Sequence, residues 1–115
     1  AEAMTFERIV IGTDYSGCTD FLTAETGYPI PYQLRPLAPN EYPWSEGQYW
    51  AEPDQNAAVD VMRQVVADPS EGRRRGRIAR DRVLRSYGSV PVGEAMRDRL
   101  EVLWAKRRAE RSSRD

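Results

Sequence analysis

The sequence predicts an α/β fold in which a few short strands precede three helices. Residues 9–11 (IVI) are all β-branched and stop at Gly12, a pattern typical of a strand covered on both faces in a parallel sheet. Between residues 12 and 50, glycine and proline recur too often for a helix of normal length. After residue 50, apolar residues recur at helical spacing. Because one such strand cannot form a sheet, we expect the sheet within this chain to be incomplete.

Short extended segments joined by loops are predicted for the first half of the chain. They cover residues 28–34 and 48–51, and an exposed loop rich in turn-forming residues lies between them at 38–47. This loop and its flanks carry the aromatic residues Tyr42, Trp44, Tyr49 and Trp50. Packing against the sheet is the more common use of such rings, and stacking on a sugar is the alternative.

The first two helices of the second half have recognisable starts. Asp54 is the expected N-cap of a helix whose apolar residues are Ala58, Val61, Met62, Val65 and Val66. Asp68, Pro69 and Glu71 form a capping-box arrangement that predicts a second helix over residues 70–87. Small residues on one face of that helix would allow a close approach to its neighbour. They are Gly72, Gly76 and Ala79, with Val83 following on the same face.

A third helix is predicted after Gly88, which should end the second helix, with Ser89 as its cap. Its apolar stripe consists of Val92, Met96, Leu100 and Leu103, with Trp104 beside it. The basic tail, residues 106–115, has almost nothing to bury and is predicted to fray or to lie on a surface.

Length and composition exclude several kinds of protein. A chain of 115 residues forms one domain or less. Cys18 is the only cysteine and histidine is absent, which excludes an internal disulfide, a histidine-based catalytic triad and a Cys/His zinc site. No run approaches the roughly 18 apolar residues of a membrane span. We therefore expect a cytoplasmic protein, with peripheral attachment to the inner face of a membrane as an open alternative.

Charge is distributed unevenly along the chain. Residues 1–70 hold 3 basic and 11 acidic residues, a net charge of −8, whereas residues 71–115 hold 14 basic and 7 acidic residues, a net charge of +7. A basic half can bind nucleic acid, a membrane surface or an acidic partner. The simpler interpretation is a pair of solvated, arginine-rich helix faces.

Several short motifs occur in the order found in group 1 of the retaining GT-B glycosyltransferases. They are residues 2–4 (EAM), 10–13 (VIGT), 15–21 (YSGCTDF), 25–28 (ETGY), 50–54 (WAEPD) and 62–69 (MRQVVADP). Each motif alone is weak, but their combination spans most of residues 1–103 and resembles the C-terminal half of such an enzyme.

The resemblance implies an incomplete Rossmann-like fold and a specific function. Residues 1–105 would be the C-terminal portion of the nucleotide-sugar-binding domain of a transferase whose donor is a nucleoside diphosphate sugar. Glu2 matches the family glutamate that accepts hydrogen bonds from the ribose hydroxyls, a role for which two carboxylate oxygens suit two neighbouring donors. Tyr15, Ser16 and Gly17 match the turn that would line the donor site at the end of a parallel strand.

The resemblance also implies what the chain needs and lacks. The first family glutamate, the glycine-rich diphosphate-binding turn and the acceptor-binding N-terminal domain are not among these residues, so no turnover is expected from this chain alone. Beyond the donor, no cofactor is expected. Self-association into a homo-oligomer is expected if an apolar sheet edge is left uncovered.

A function of another class competes with the transferase hypothesis. The arginine run at residues 73–77 and the basic tail could make the chain an interaction or scaffold module for an acidic partner or for nucleic acid, since arginine binds phosphate well. Nucleic acid is disfavoured because no aromatic residues interleave with the arginines as stacking platforms.

Overall fold

The computed structural model describes residues 1–112 and combines helices with short strands, an architecture compatible with the α/β class. The helices are α1 (Glu2–Thr5), α2 (Gln55–Ala67), α3 (Pro69–Tyr87) and α4 (Ser89–Ser112), with a 3₁₀ helix at Ser16–Asp20. The strands are β1 (Ile11–Thr13), β2 (Tyr28–Ile30), β3 (Tyr32–Pro36) and β4 (Tyr49–Pro53). None of the helices in residues 1–112 is both long and apolar enough to cross a membrane.

A parallel pair of strands, β1 and β2, lies at the centre of the N-terminal half. Ile11 is opposite Tyr28, and Thr13 is opposite Ile30. Parallel strands need a crossover of about a dozen residues or more, and residues 14–27 supply it. The carboxyl ends of both strands therefore lie at the same edge of the sheet.

The prediction for the first strand is only partly correct. The strand begins at Ile11 rather than Ile9, and its residues are half-buried rather than buried on both faces. The physical reason is that β2 is the only neighbour of β1 among residues 1–112. Packing from α3 covers part of this sheet, whereas a fully buried strand needs neighbours on both edges and layers on both faces.

The predicted extended segment at residues 28–34 is divided between two sheets. β2 ends at Ile30 and β3 begins at Tyr32, and the residue between them, Pro31, has no backbone N–H to donate. β3 pairs with β4 as an antiparallel hairpin in which Tyr32 is opposite Pro53 and Pro36 is opposite Tyr49. The backbone N–H of Asp54 donates to the carbonyl of Pro31 and closes the base of the hairpin.

The starts predicted for the first two long helices are confirmed. Asp54 Oδ1 accepts from the backbone N–H of Ala57 at 3.0 Å. Asp68 Oδ1 accepts from the amides of Ser70 and Glu71 at 3.1 and 3.2 Å, with Pro69 at the first helical position. The second hydrogen bond of the capping box, from the Asp68 backbone N–H to the Glu71 carboxylate, does not form. The Glu71 carboxylate instead binds arginines one turn further along the helix.

The junction between α3 and α4 differs from the prediction. Gly88 ends α3 as predicted, in an extended conformation (φ −67°), whereas Ser89 is already part of α4 and does not cap it. The Gly88 amide donates to Leu84, and its carbonyl accepts from Val92. Gly88 therefore caps both helices, and a Cβ at this position would overlap the Leu84 carbonyl oxygen.

The core lies where α3 packs against α1 and against the segment that joins β1 to β2. Met4, Leu22, Ala79 and Val83 form one buried cluster, with Val10 and Phe21 packed against it. The small face predicted for α3 is confirmed. Its members Gly72, Gly76, Ala79 and Val83 are all buried.

The apolar stripe of α4 lies largely in solvent. Val92, Met96, Leu100, Leu103 and Trp104 are between 40% and 62% exposed. Contrary to the prediction of fraying, the helix continues to Ser112. Its last turns are rich in alanine, lysine, arginine and glutamate, which are strong helix formers, and Lys106 pairs with Glu110 one turn away. Residues 113–115 of the predicted tail lie outside the described residues.

Candidate functional site

The turn after β1 lies at the carboxyl edge of the parallel pair, where the sequence places Tyr15, Ser16 and Gly17. The amide of Asp14 donates to Ile30 at 2.9 Å, which extends the ladder by one residue and holds the start of the turn against the end of β2. The 3₁₀ helix then begins at Ser16, and the Thr19 hydroxyl donates to the Ser16 carbonyl at 2.8 Å. Open α/β sheets bind ligands at this edge.

The residue with the unusual backbone is Ser16 rather than Gly17. Ser16 has φ 56°, in the left-handed region that few non-glycine residues adopt. Gly17 is not among the positive-φ glycines of the described chain, and a Cβ there would meet nothing within 4 Å. The left-handed residue of the turn is therefore the serine before the glycine.

An aromatic pair joins the turn to the hairpin. The rings of Tyr15 and Tyr32 meet edge to face with their centroids 5.0 Å apart. Tyr32 follows the carboxyl end of β2, so both rings lie at the edge where the two parallel strands end. Sequence reasoning missed Tyr32, because its place within the predicted extended segment at residues 28–34 gave no indication of a contact with the turn.

Glu2 lies in the single turn of α1, and its side chain is exposed. Among residues 1–112, no hydrogen bond or ion pair connects the Glu2 carboxylate with Tyr15, Ser16 or Gly17. The carboxylate is thus free to accept hydrogen bonds from an external donor, but the structure does not bring it into contact with the turn.

Cys18 is exposed within the 3₁₀ helix. This short helix presents its residues to solvent, and none of them is buried. No cluster of three or more Cys, Asp or Glu side chains within residues 1–112 is arranged to hold a metal ion.

Two arginines of the run on α3 are engaged within the fold. Arg74 and Arg75 both bind the Glu71 carboxylate, at 2.6 and 2.8 Å. Further along α3, Arg80 approaches Glu7 at 3.8 Å, and Arg82 binds Glu25 at 3.0 Å. Half-exposed pairs of this kind contribute at most about 1 kcal/mol each, but they reduce the positive charge that α3 offers to a partner.

Arg75 makes the most extensive contacts of these arginines. Its guanidinium donates to the carbonyl of Gly27 at 3.0 Å and stacks over the Tyr28 ring, 4.3 Å from the ring centroid. These contacts connect α3 with the start of β2. Arg75 therefore stabilises the loop that leads into the parallel pair rather than forming part of a free basic surface.

A second charged network lies at the hairpin. The Arg35 guanidinium donates to Glu52 at 2.9 Å and binds both carboxylate oxygens of Glu41, at 2.9 and 2.6 Å. The Ala38 amide also donates to Glu41. Hydrogen bonds from Arg35 and Ala38 lower the pKa of the Glu41 carboxyl to about 2, and both glutamates raise the pKa of Arg35. Sequence reasoning missed this network because its members are distant along the chain.

The hairpin loop is expected to loosen only in strong acid. A carboxyl whose pKa is lower in the folded than in the unfolded chain stabilises the fold above its unfolded pKa, near 4.3. That stabilisation is lost as the pH falls toward about 2. We expect the NMR shift of the Ala38 amide to titrate near pH 2 in the native chain.

Glu41→Gln should abolish this titration, and Glu46→Gln, which changes a carboxylate of the same loop, should preserve it. A midpoint near the ordinary glutamate value would contradict the Arg35–Glu41 contact.

Comparison of the chain with protein-family models, curated proteins and solved structures found no match. The resemblance to glycosyltransferases therefore rests on the motifs in the sequence.

Proposed function

We propose that this chain is part of the nucleotide-sugar-binding, Rossmann-like domain of a retaining GT-B glycosyltransferase, which transfers a sugar from a nucleoside diphosphate sugar to an acceptor. The observation that carries the proposal is the position of the turn at Tyr15, Ser16 and Gly17. It follows a strand of a parallel pair at the carboxyl edge, where ligands of α/β sheets bind. The order of the sequence motifs around it supports the same assignment.

Each proposed site residue has a role suited to its chemistry. Glu2 would accept hydrogen bonds from the ribose hydroxyls, since its carboxylate is exposed and unpaired among the described residues. Tyr15 offers a ring and a hydroxyl at the edge of the sheet, while Ser16 offers a hydroxyl on an exposed turn. None of these residues is assigned an acid–base role, because the reacting groups would come from another domain.

The proposed partners follow from this assignment. The chain would work together with an acceptor-binding domain and would show no turnover by itself. Its proposed setting is the cytoplasm or the inner face of a membrane. Self-association would use the exposed apolar stripe of α4. We expect sedimentation to give a lower mass for Leu100→Glu than for the native chain, and an equal mass would contradict this use of the stripe.

The alternative of a basic interaction module is less well supported. Arg74, Arg75, Arg80 and Arg82 all form ion pairs with carboxylates of the same chain. Within residues 69–112, the arginines outside ion pairs are divided between α3, with Arg73, Arg77 and Arg85, and α4, with Arg99, Arg107, Arg108 and Arg111. Binding to nucleic acid that falls steeply with salt concentration would favour this alternative.

Titration of the ¹⁵N-labelled chain with UDP-glucose, GDP-mannose and ADP-glucose tests the proposed function. We expect one of these probes to shift the amide signals of Tyr15, Ser16 and Gly17 together with that of Glu2. Glu2→Gln should weaken this binding about tenfold, because a charged acceptor is lost.

Glu101→Gln, which neutralises an exposed carboxylate on α4, is the matched control and should leave the affinity unchanged. Shifts confined to other regions, or no shift with any of the three probes, would refute the proposed donor site.

A further inference from the structure

The loop of the hairpin, residues 37–48, exposes aromatic rings that sequence analysis expected to pack against the sheet. Trp44 is 93% exposed, and Tyr42 and Tyr49 are 60% and 64% exposed. Large apolar side chains that cluster in solvent commonly mark a binding surface. Tyr42 and Trp44 line the same groove, so a single ligand can contact both of these rings.

The loop that carries these rings is held in a defined conformation. The Arg35 guanidinium binds the Glu41 carboxylate through two hydrogen bonds, and the Leu37 amide donates to Gln48 across the neck of the loop at 3.0 Å. Trp44 has φ 61°, a conformation that is rare for a bulky residue. Strained backbone of this kind concentrates at binding sites, where the surrounding contacts hold it in place.

A groove of about 990 Å³ runs along this loop, and its walls combine aromatic and polar groups. Tyr42, Pro43 and Trp44 contribute apolar surface, while Asn40, Ser45 and Glu46 contribute an amide, a hydroxyl and a carboxylate. None of the described residues that line the groove is basic. Small-ligand sites typically combine a mostly apolar wall with a few polar groups that orient the ligand.

We propose that this loop binds a neutral oligosaccharide. The C–H face of a pyranose ring is weakly positive and fits the negative face of an aromatic ring, so Trp44 and Tyr42 provide stacking surfaces. The Asn40 amide can donate and accept hydrogen bonds with hydroxyl groups, and the Glu46 carboxylate can accept them. The same carboxylate repels phosphate and acidic sugars, and none of the described lining residues is a base that could bind them, which favours a neutral sugar over an acidic one.

The inference goes beyond the proposed function and does not depend on it. The proposed donor is a charged nucleotide sugar at Glu2 and the turn at residues 15–17, whereas the hairpin surface selects an uncharged glycan. Five residues of β3 separate the Tyr15–Tyr32 contact from the loop, a span of roughly 16 Å at about 3.3 Å per residue. The two sites can therefore be titrated separately, each with its own reporter residues.

Tryptophan fluorescence and calorimetry with cellohexaose, laminarihexaose and N-acetylchitohexaose test the inference. We expect saturable binding of at least one of these neutral probes and none of a sulfated heparin oligosaccharide. Trp44→Gly should lower the affinity at least about tenfold, as expected for a central aromatic contact. Glycine tolerates the positive φ at this position, so the loop should keep its conformation. Trp44→Phe, which retains a ring, should preserve part of the affinity.

Trp104→Ala is the matched control because Trp104 is also exposed but lies on α4. It should bind the probes as the native chain does. The inference is overturned if no neutral probe binds, if heparin binds instead, or if Trp104→Ala rather than Trp44→Gly removes binding. It is also overturned if Trp44→Gly retains native affinity while the amide spectrum of the loop is unchanged.

Discussion

Replacing Gly76 with alanine is expected to lower the free energy of unfolding by about 2 kcal/mol, the middle of the range for overpacking a close contact. A Cβ at this position would overlap the carbonyl oxygen of Glu7 and lie 3.0 Å from its carbonyl carbon. Because both atoms belong to the backbone, no side-chain rotation can relieve the overlap. The contact between α3 and the segment at α1 would have to open. The free-energy cost of opening it outweighs the gain of about 1 kcal/mol in helix propensity when alanine replaces glycine.

Two other glycines in the helices make this prediction specific. A Cβ at Gly72 would meet only the side chain of Ile9, which can move, and a Cβ at Gly93 on α4 would meet nothing within 4 Å. Gly93→Ala should therefore raise the free energy of unfolding by about 0.5–1 kcal/mol. The free energy of unfolding of Gly72→Ala should lie between those of Gly76→Ala and Gly93→Ala. Urea unfolding of all three variants measures their free energies of unfolding and so tests this order. Equal changes in stability for Gly76→Ala and Gly93→Ala would show that α3 does not pack on the backbone of Glu7.

Replacing Met4 with alanine is expected to destabilise the chain by about 2–5 kcal/mol, the usual cost of removing a large buried side chain. Met4 is completely buried in the cluster with Leu22, Ala79 and Val83. It lies on a helix of only four residues, which cannot be stable without this contact. Since small domains have only about 5–15 kcal/mol of stability, the loss should also lower the thermal midpoint visibly.

Met62 provides the matched control because it is a helical methionine that is 55% exposed. Met62→Ala should change the free energy of unfolding by no more than about 0.5 kcal/mol. Thermal and urea unfolding measure the loss of stability in both variants. A similar loss for the two substitutions would mean that α1 does not contribute to the core.

The helices could be predicted closely from local chemistry. Asp54 and Asp68 accept the amide hydrogen bonds expected of them, and α2 and α3 begin within one residue of the predicted positions. Caps and helical periodicity depend on residues a few positions apart, so the sequence contains the required information. Ser89 is the exception, since it is the first residue of α4 and the preceding Gly88 accepts the first hydrogen bond of that helix.

The candidate site could be predicted only in part. The strand–turn pattern placed Tyr15, Ser16 and Gly17 on an exposed turn, which the structure has. The contact with Tyr32 and the left-handed backbone at Ser16 were not foreseen. Both depend on β2 pairing with β1 across a 14-residue crossover, residues 14–27, and short-range patterns do not determine which strands pair.

The sequence by itself determined the combination of short strands with helices, the starts of α2 and α3 and the small buried face of α3, because each depends on intrinsic preferences or on periodicity within one element. Only the tertiary structure decided the rest. It engaged arginines of α3 with carboxylates from the segment after α1 and from the loop before β2, and it left the aromatic rings of the hairpin in solvent. The physical reason is that a charged or aromatic side chain is used according to its spatial neighbours, and these come from residues far away along the chain.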